Sequence, residues 1–439
     1  MLDKIFFLGF GLIPKSILDI WNVLDLYKNC EITIVEPVKS QVECWPYLFR
    51  GRDVVFINHP IKEDNIELIL DDATSDSLII DLTVEVDSLF IMEYCAKHNL
   101  SYINTSLENY ENLDECHEFP AKFEKFKENT LLCRHNLQEN QIKTKRTMIS
   151  NFGMNPGLIS AFALRALTNI AFDYGYGKPR SRQEFAKLCK DLKVRSITCC
   201  EIDTTQLGIR VLPDTFYNTW SPLGMQSEAG DYVCVGVNKS DWTFFDECEN
   251  LIKPDVASNI RFIAKAGFEK EREGITMDPA GNLITFTGSL IPHMENVTLN
   301  EYLSIDDYSP TTYYCYKPCP VTVKCLKILK KREYRFLTNQ YGVSQTDMTS
   351  GYDSIASCVT FENGSQYICG TVVSLLDVKN LGLKFCTPTS CQVAAGLHSA
   401  IKYMLIDKNK GLLDAEEIQH EILIKGAEKF LGKTFARWV

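Results

Sequence analysis

Over the first 150 residues, short unbroken apolar runs alternate with amphipathic stretches. The runs at 5–8, 32–35, 54–57, 78–82, 102–104 and 147–149 read as strands. Between them, Ile17, Leu18, Trp21 and Leu24 mark a helical face, and 89–96 reads as a second helix. Strands apolar throughout, separated by helices, are buried on both faces of a parallel sheet. The expected fold is α/β, a doubly wound parallel sheet of Rossmann type. After residue 150 the pattern changes. From about 195 to 325 apolar and polar positions alternate, as in Thr285-Phe-Thr-Gly-Ser-Leu, which suits antiparallel strands with one wet face. Long helices are expected again at 392–405 and 415–430. The chain therefore divides into a dinucleotide-binding domain (1–150), an α+β substrate domain on a largely antiparallel or mixed sheet (151–350), and a C-terminal helical segment (351–439) packing back on the first domain.

The composition is that of an ordinary globular protein, with 45% hydrophobic and 23% charged residues in 439, which excludes disorder. The balance of 46 Lys+Arg against 57 Asp+Glu leaves −11, contrary to the basic face of a nucleic-acid binder and suited to a cationic substrate. The 17 cysteines are scattered, with no C-x-x-C, so reduced thiols are expected rather than disulfides or a metal site. The apolar start is broken by two glycines and Pro14-Lys15, unlike a signal peptide, and no run reaches 18 apolar residues. A cytoplasmic protein without membrane or nucleic-acid partners is expected.

The first chemical signal is Gly9-Phe-Gly11-Leu12-Ile13-Pro14, directly after the first strand and opening a helix. Two glycines permit a tight turn and a close approach of backbone to pyrophosphate, while the helix N-terminus supplies N–H groups. Pro14 occupies the third glycine position of the fingerprint. Glu36, ending the second strand, is placed to accept from ribose hydroxyls and to repel a 2′-phosphate, which favours NAD over NADP. Asp81 and Thr83 end the fourth strand at the carboxyl edge where such ligands bind. Asn155-Pro156-Gly157 forces a turn before a helix, with Asn155 expected at the nicotinamide end of the cleft.

Acids and an aromatic follow. Glu201, Asp203 and Glu228 offer carboxylates to ammonium groups, and Trp220 offers an indole face to a cation. His293, in the Pro-flanked segment Ile-Pro-His-Met-Glu295, suits proton transfer near neutrality. Glu108 and Asp353 read from the sequence alone as loop acids.

Taken in order, Gly9-Phe-Gly11, Asn104-Thr105-Ser-Leu-Glu108, Asn155-Pro-Gly-Leu-Ile-Ser160, Asn218-Thr-Trp-Ser221 with Glu228, His293-Met-Glu295, residues 313–319, Ser350-Gly-Tyr-Asp353 and Thr389-Ser-Cys-Gln-Val393 resemble bacterial homospermidine synthases of the saccharopine-dehydrogenase-like superfamily. The likeness runs almost the whole chain. It implies a homodimer with tightly held NAD that joins two putrescines, or putrescine and spermidine, into sym-homospermidine and releases ammonia. It implies Asn155 beside the nicotinamide, His293 as acid–base, Trp220 against cationic imines, Glu201 and Glu228 on ammonium ends, and Glu108 and Asp353 as further cleft acids. Gly9, Gly11, Leu12, Ile13, Glu36, Asp81, Thr83, Thr105, Asn155 and Pro156 would line the cofactor. Two alternatives stay open: a saccharopine- or carboxyspermidine-dehydrogenase-like oxidoreductase, whose carboxylate substrates need clustered arginines, and a non-catalytic NAD-binding regulator.

Overall fold

The computed structural model describes residues 2–39, 41, 46–84, 86–108, 131–238, 251–252 and 259–439. The first sheet is built from β1 (Lys4–Leu8), β2 (Glu31–Val35), β3 (Asp53–Ile57), β4 (Ser77–Asp81), β5 (Ser101–Asn104) and β6 (Met148–Ile149). They lie parallel in the order β6-β5-β4-β1-β2-β3, so chain direction across the sheet reverses between β1 and β4. Ligands bind open α/β sheets at such a switch point. The apolar runs alternate between two cores: Ile5 and Phe7 pack with the helices Leu12–Leu24 and Pro388–Ile406, Phe6 and Leu8 with Ser88–Lys97. Both faces of β1, β2, β4 and β5 are covered, which is why these strands show no polar alternation, whereas the edge strand β3 is partly exposed.

The second sheet is mixed. Its long path places β7 (Val194–Asp203) at the centre, with two short ribbons set apart: β8 (Gln206–Leu207) with β17 (Met348–Ser350), and β9 (Thr215–Asn218) with β16 (Asn339–Gly342). On one side of β7 stand β15 (Thr311–Lys317), β10 (Tyr232–Gly236), β12 (Ile260–Ala266) and β11 (Leu251–Ile252). The hairpin β13 (Glu271–Met277) with β14 (Leu283–Ile291) also joins β15. On the other side lie β18 (Tyr352–Phe361), β19 (Gln366–Ser374) and β21 (Lys433–Trp438). The sheet is mixed, as expected, but its centre lacks the wet face that the alternation suggests: β7 runs parallel to β15 and is buried along most of its length. Ile197 and Cys199 face the core of the helix Leu158–Asp173, while Cys200 and Ile202 face a separate core.

The stretch 351–439 also differs from its helical reading. It holds the helices Pro388–Ile406 and His420–Ala427, but β18, β19 and β21 as well. β20 (Leu412–Leu413) returns to the first sheet beside β6. Strands β18 and β19 are buried on both faces, so they carry no alternation to betray them. The span 415–430 is a 3-10 turn, an α-helix and a second 3-10 turn.

Candidate active site

At the switch point the chain leaves β1 through Gly9, whose φ of 83° and whose approach to Leu82 (a Cβ would lie 2.7 Å from its carbonyl oxygen) admit only glycine without strain. Gly11 then caps the helix Leu12–Leu24 with no side-chain acceptor, and a Cβ there would meet nothing within 4 Å. The amides of the first turn, Leu12 and Ile13 among them, have no intrahelical acceptor and no side-chain cap, at the positive end of a helix. That is a cradle for a pyrophosphate. Glu36 is pinned beside it, accepting from Phe10 N at 2.8 Å and Val38 N at 2.9 Å. These residues fit a dinucleotide.

Asp81, at the carboxyl edge of β4, is held on both oxygens. Its Oδ1 accepts from Thr83 N and Oγ1, and its Oδ2 from the Tyr102 hydroxyl, at 2.7–3.1 Å. Burial raises its pKa to about 6. From Tyr102 the network continues through Asn104, which accepts from Asn151 N, to the loop that carries Asn155. Asp81 and Thr83 therefore brace the floor of the cleft. Thr105 lies half-buried beside Gly153, where a Cβ would come 3.7 Å from its methyl group, and Pro156 O accepts from Gly153 N to close the turn.

Facing this edge is the end of the mixed sheet. Residues 199, 201 and 203 of β7 share one face, and the antiparallel register sets Asp353 of β18 opposite Asp203. Glu201, Asp203 and Asp353 are consequently gathered and buried. Asn155 Nδ2 donates to Glu201 Oε2 at 2.5 Å, and the Tyr314 hydroxyl bonds the same oxygen. Burial first, then neighbouring acids, push Glu201 up to about 7, with Tyr314, His293 and Asn155 opposing. Asp353 is held well above the carboxylate range by burial and by Glu201 and Asp203. Its Oδ2 accepts from Thr389, and its Oδ1 has no partner. Asp203 is tied to Thr205, Thr219 and Thr389, and burial raises it too.

His293 follows β14 and precedes the helix Glu295–Tyr302. Its Nδ1 lies 2.6 Å from Glu295 Oε2, which leaves Nε2 free to exchange a proton. Burial pulls its pKa down, but Glu295, Glu228 and Glu201 together outweigh this and raise it to about 9. Glu228, on the helix Pro222–Gly230, keeps a buried Oε2 with no partner, and burial lifts it to about 8, with Asp231, Glu108 and Glu295 adding to the shift. Glu108 is half-buried and accepts from Ser106. Trp220 sits just before the Ser221 cap and Pro222 that start that helix, and its Nε1 donates to the Tyr316 hydroxyl at 3.4 Å.

The site so assembled sets five carboxyl groups, Glu201, Asp203, Glu228, Glu295 and Asp353, around one imidazole. Among the described residues no lysine or arginine pairs with any of them. Burying that many acids is costly unless positive charge comes from outside. Two members of the site were not picked out from sequence. Glu295 orients His293. Tyr314 lies tilted against His293, ring centroids 4.6 Å apart, and stacks on Tyr316 at 5.8 Å. The signal for the tyrosines is parity: 314 and 316 share the β15 face turned to the cleft, whereas Tyr313 faces the opposite core.

Comparison with known proteins bears on both halves. Residues 5–140 match the family model described as the saccharopine dehydrogenase NADP-binding domain. The homospermidine synthase of Blastochloris viridis is 25% identical over 97% of this chain and 89% of its own length, that of Mesorhizobium japonicum 22% over 97% and 88%. The chain resembles the homospermidine synthases. Its fold agrees with that resemblance. The homospermidine synthase of Legionella pneumophila, solved in complex with NAD, superposes with a TM-score of 0.84 at 23% identity, covering 100% of this chain and 92% of that one. An apo saccharopine dehydrogenase (L-Glu forming) from Saccharomyces cerevisiae gives 0.56 at 10% identity, with both chains covered in full.

Proposed function

We propose that this protein is an NAD-dependent homospermidine synthase, converting two putrescines, or putrescine and spermidine, into sym-homospermidine-type polyamines with loss of ammonia. The observation that carries the reading is Glu228 Oε2, buried and partnerless beside His293 in a chamber of acids where, among the described residues, no arginine or lysine pairs with them. A dicationic diamine supplies what that chamber lacks, and the matched relatives bear the corresponding name. Among the described residues a carboxylate-bearing substrate would meet five carboxyl groups and a single imidazole there, with no guanidinium to clamp it.

Gly9, Gly11, Leu12 and Ile13 would hold the pyrophosphate of NAD and Glu36 its ribose, and the bound cofactor would supply reversible hydride acceptance. Around it, Glu228 with Glu108 and the Glu201–Asp203–Asp353 set bind the two ammonium ends of the substrate. His293, protonated at neutral pH, gives its Nε2 proton to the leaving ammonia and takes one back from the attacking amine, with Glu295 holding the ring. Asn155 orients Glu201. Trp220 presents its face to the cationic imine carbon as the second amine attacks and ammonia departs. No net oxidation results. The reading includes a cytoplasmic homodimer, with residues 1–150 as the cofactor domain.

Incubating the purified protein with putrescine and catalytic NAD⁺, with mass spectrometry of the products, tests this. Homospermidine and ammonia in equal amounts, without accumulating NADH, are expected. Steady NADH formation without a coupled polyamine would instead make the protein a net dehydrogenase.

A further inference from the structure

Away from the chamber just described, a set of groups able to ligate a metal meets between the helix Leu131–Gln141 and the turn after β20. The helix Leu131–Gln141 carries His135 and Glu139 four residues apart, hence on one face. Asp414 comes from the turn after β20, where it caps the next 3-10 turn and directs Oδ2 at His135. One ligand atom from each of the three lies within 4.8 Å of the others.

We infer that His135, Glu139 and Asp414 form a binding site for a divalent first-row metal ion, with Glu301 on its border. The distances favour an ion over direct contact. His135 Nε2 stands 3.6 Å from Glu301 Oε2 and 3.7 Å from Asp414 Oδ2, beyond hydrogen-bond range. Two ligands on one ion with bonds of about 2.0–2.2 Å lie roughly 3.3 Å apart. A contraction of a few tenths of an ångström therefore suffices between His135 and either of these carboxylates, while the exposed Glu139 carboxylate, within 4.8 Å of the other ligand atoms, completes the set by a side-chain adjustment. The imidazole is 5% exposed, and its Nδ1 has no hydrogen-bond partner. Nε2 is the nitrogen turned to the carboxylates, at ion-pair distance from Glu301 and Asp414. One nitrogen with two or three carboxylate oxygens suits Zn²⁺ or Mn²⁺, and neither softness nor geometry calls for a thiolate. Sequence spacing gave no hint, because Asp414 is remote from the helical pair and no C-x-x-C is involved.

Filled, the site ties the helix Leu131–Gln141 and the β20 turn to the helix Glu295–Tyr302, the helix that begins at Glu295. Its role is to hold that helix, and it takes no part in proton transfer.

The test is Zn²⁺ titration of chelator-treated protein by calorimetry, with melting followed in parallel. Wild type is expected to take up one equivalent and to melt at higher temperature with Zn²⁺. Glu139 is exposed, so Glu139→Gln should fold normally yet bind more weakly by roughly 10–100-fold, with the thermal gain lost. His135→Ala should abolish the equivalent. If wild type binds no Zn²⁺, the cluster is an imidazolium–carboxylate ion pair and the inference fails. Equal binding by wild type and Glu139→Gln would place the ion on other groups and overturn it too. Neither readout depends on polyamine synthesis.

Discussion

At the scale of single residues, the site depends on which side chains have been given partners and which have been left without. Glu228, Glu295 and Asp353 each keep a buried carboxyl oxygen unbonded, while Glu36 and Asp81 have both oxygens engaged. The first group waits for a ligand; the second shapes the cleft. Trp220→Ala removes the face offered to the cationic imine. With a desolvated cation–π contact worth about 2 kcal/mol, kcat should fall roughly 30-fold or more while NAD titration is unchanged. Normal turnover would end the role given to the indole. Tyr314→Phe deletes the hydroxyl that lowers Glu201, so the carboxyl should titrate above its present value of about 7. The acid limb of kcat/KM should then move to higher pH. A purely structural loss would lower the profile without moving it.

At the scale of elements, legibility followed covering. β1, β2 and β4 were readable because apolar runs framed by helices can be little else, and the glycine turn announced itself by composition. Gly9→Ala tests that turn. A non-glycine residue at φ 83° costs about 1–3 kcal/mol, and the new methyl group meets Leu82 O. The variant should melt at lower temperature and lose NAD retention, both measurable by thermal shift with and without cofactor. Retention at wild-type strength would show that the cofactor does not need this turn. The strands β18 and β19 were not readable, since β-rich apolar runs buried on both faces in a late stretch resemble helix cores until their partners are known. Asp353 was opaque for the same reason: only the register opposite Asp203 lifts it from a loop acid to a member of the chamber. Glu201 and His293, by contrast, stood out as candidates, Glu201 in the Cys200-Glu-Ile-Asp segment and His293 in Pro-His-Met, with their roles implied by the resemblance to homospermidine synthases.

At the scale of the molecule, the net charge of −11 and the buried acids have one consequence for pH. Glu201 and Glu228 titrate at about 7 and about 8 rather than near 4.5, so the folded protein holds protons that the unfolded chain has released. Their contribution to stability is therefore lost as pH rises from about 4.5 through about 8. His293, raised from 6.5 to about 9, acts in the same direction, since its favourable interactions persist below its unfolded value and fade as pH passes about 9. The ligand-free protein should accordingly soften towards alkaline pH. A diamine reverses the balance: it binds the ionised carboxylates, and its ammonium groups stay charged up to about pH 10. Putrescine should thus raise the melting temperature more at pH 8 than at pH 6, and its KM should fall across that interval before levelling. Paired melting curves and initial rates over the range decide it. A KM flat between pH 6 and 8 would mean that the acids are already ionised at pH 6, and the chamber would then select cations without the proton exchange that its burial dictates.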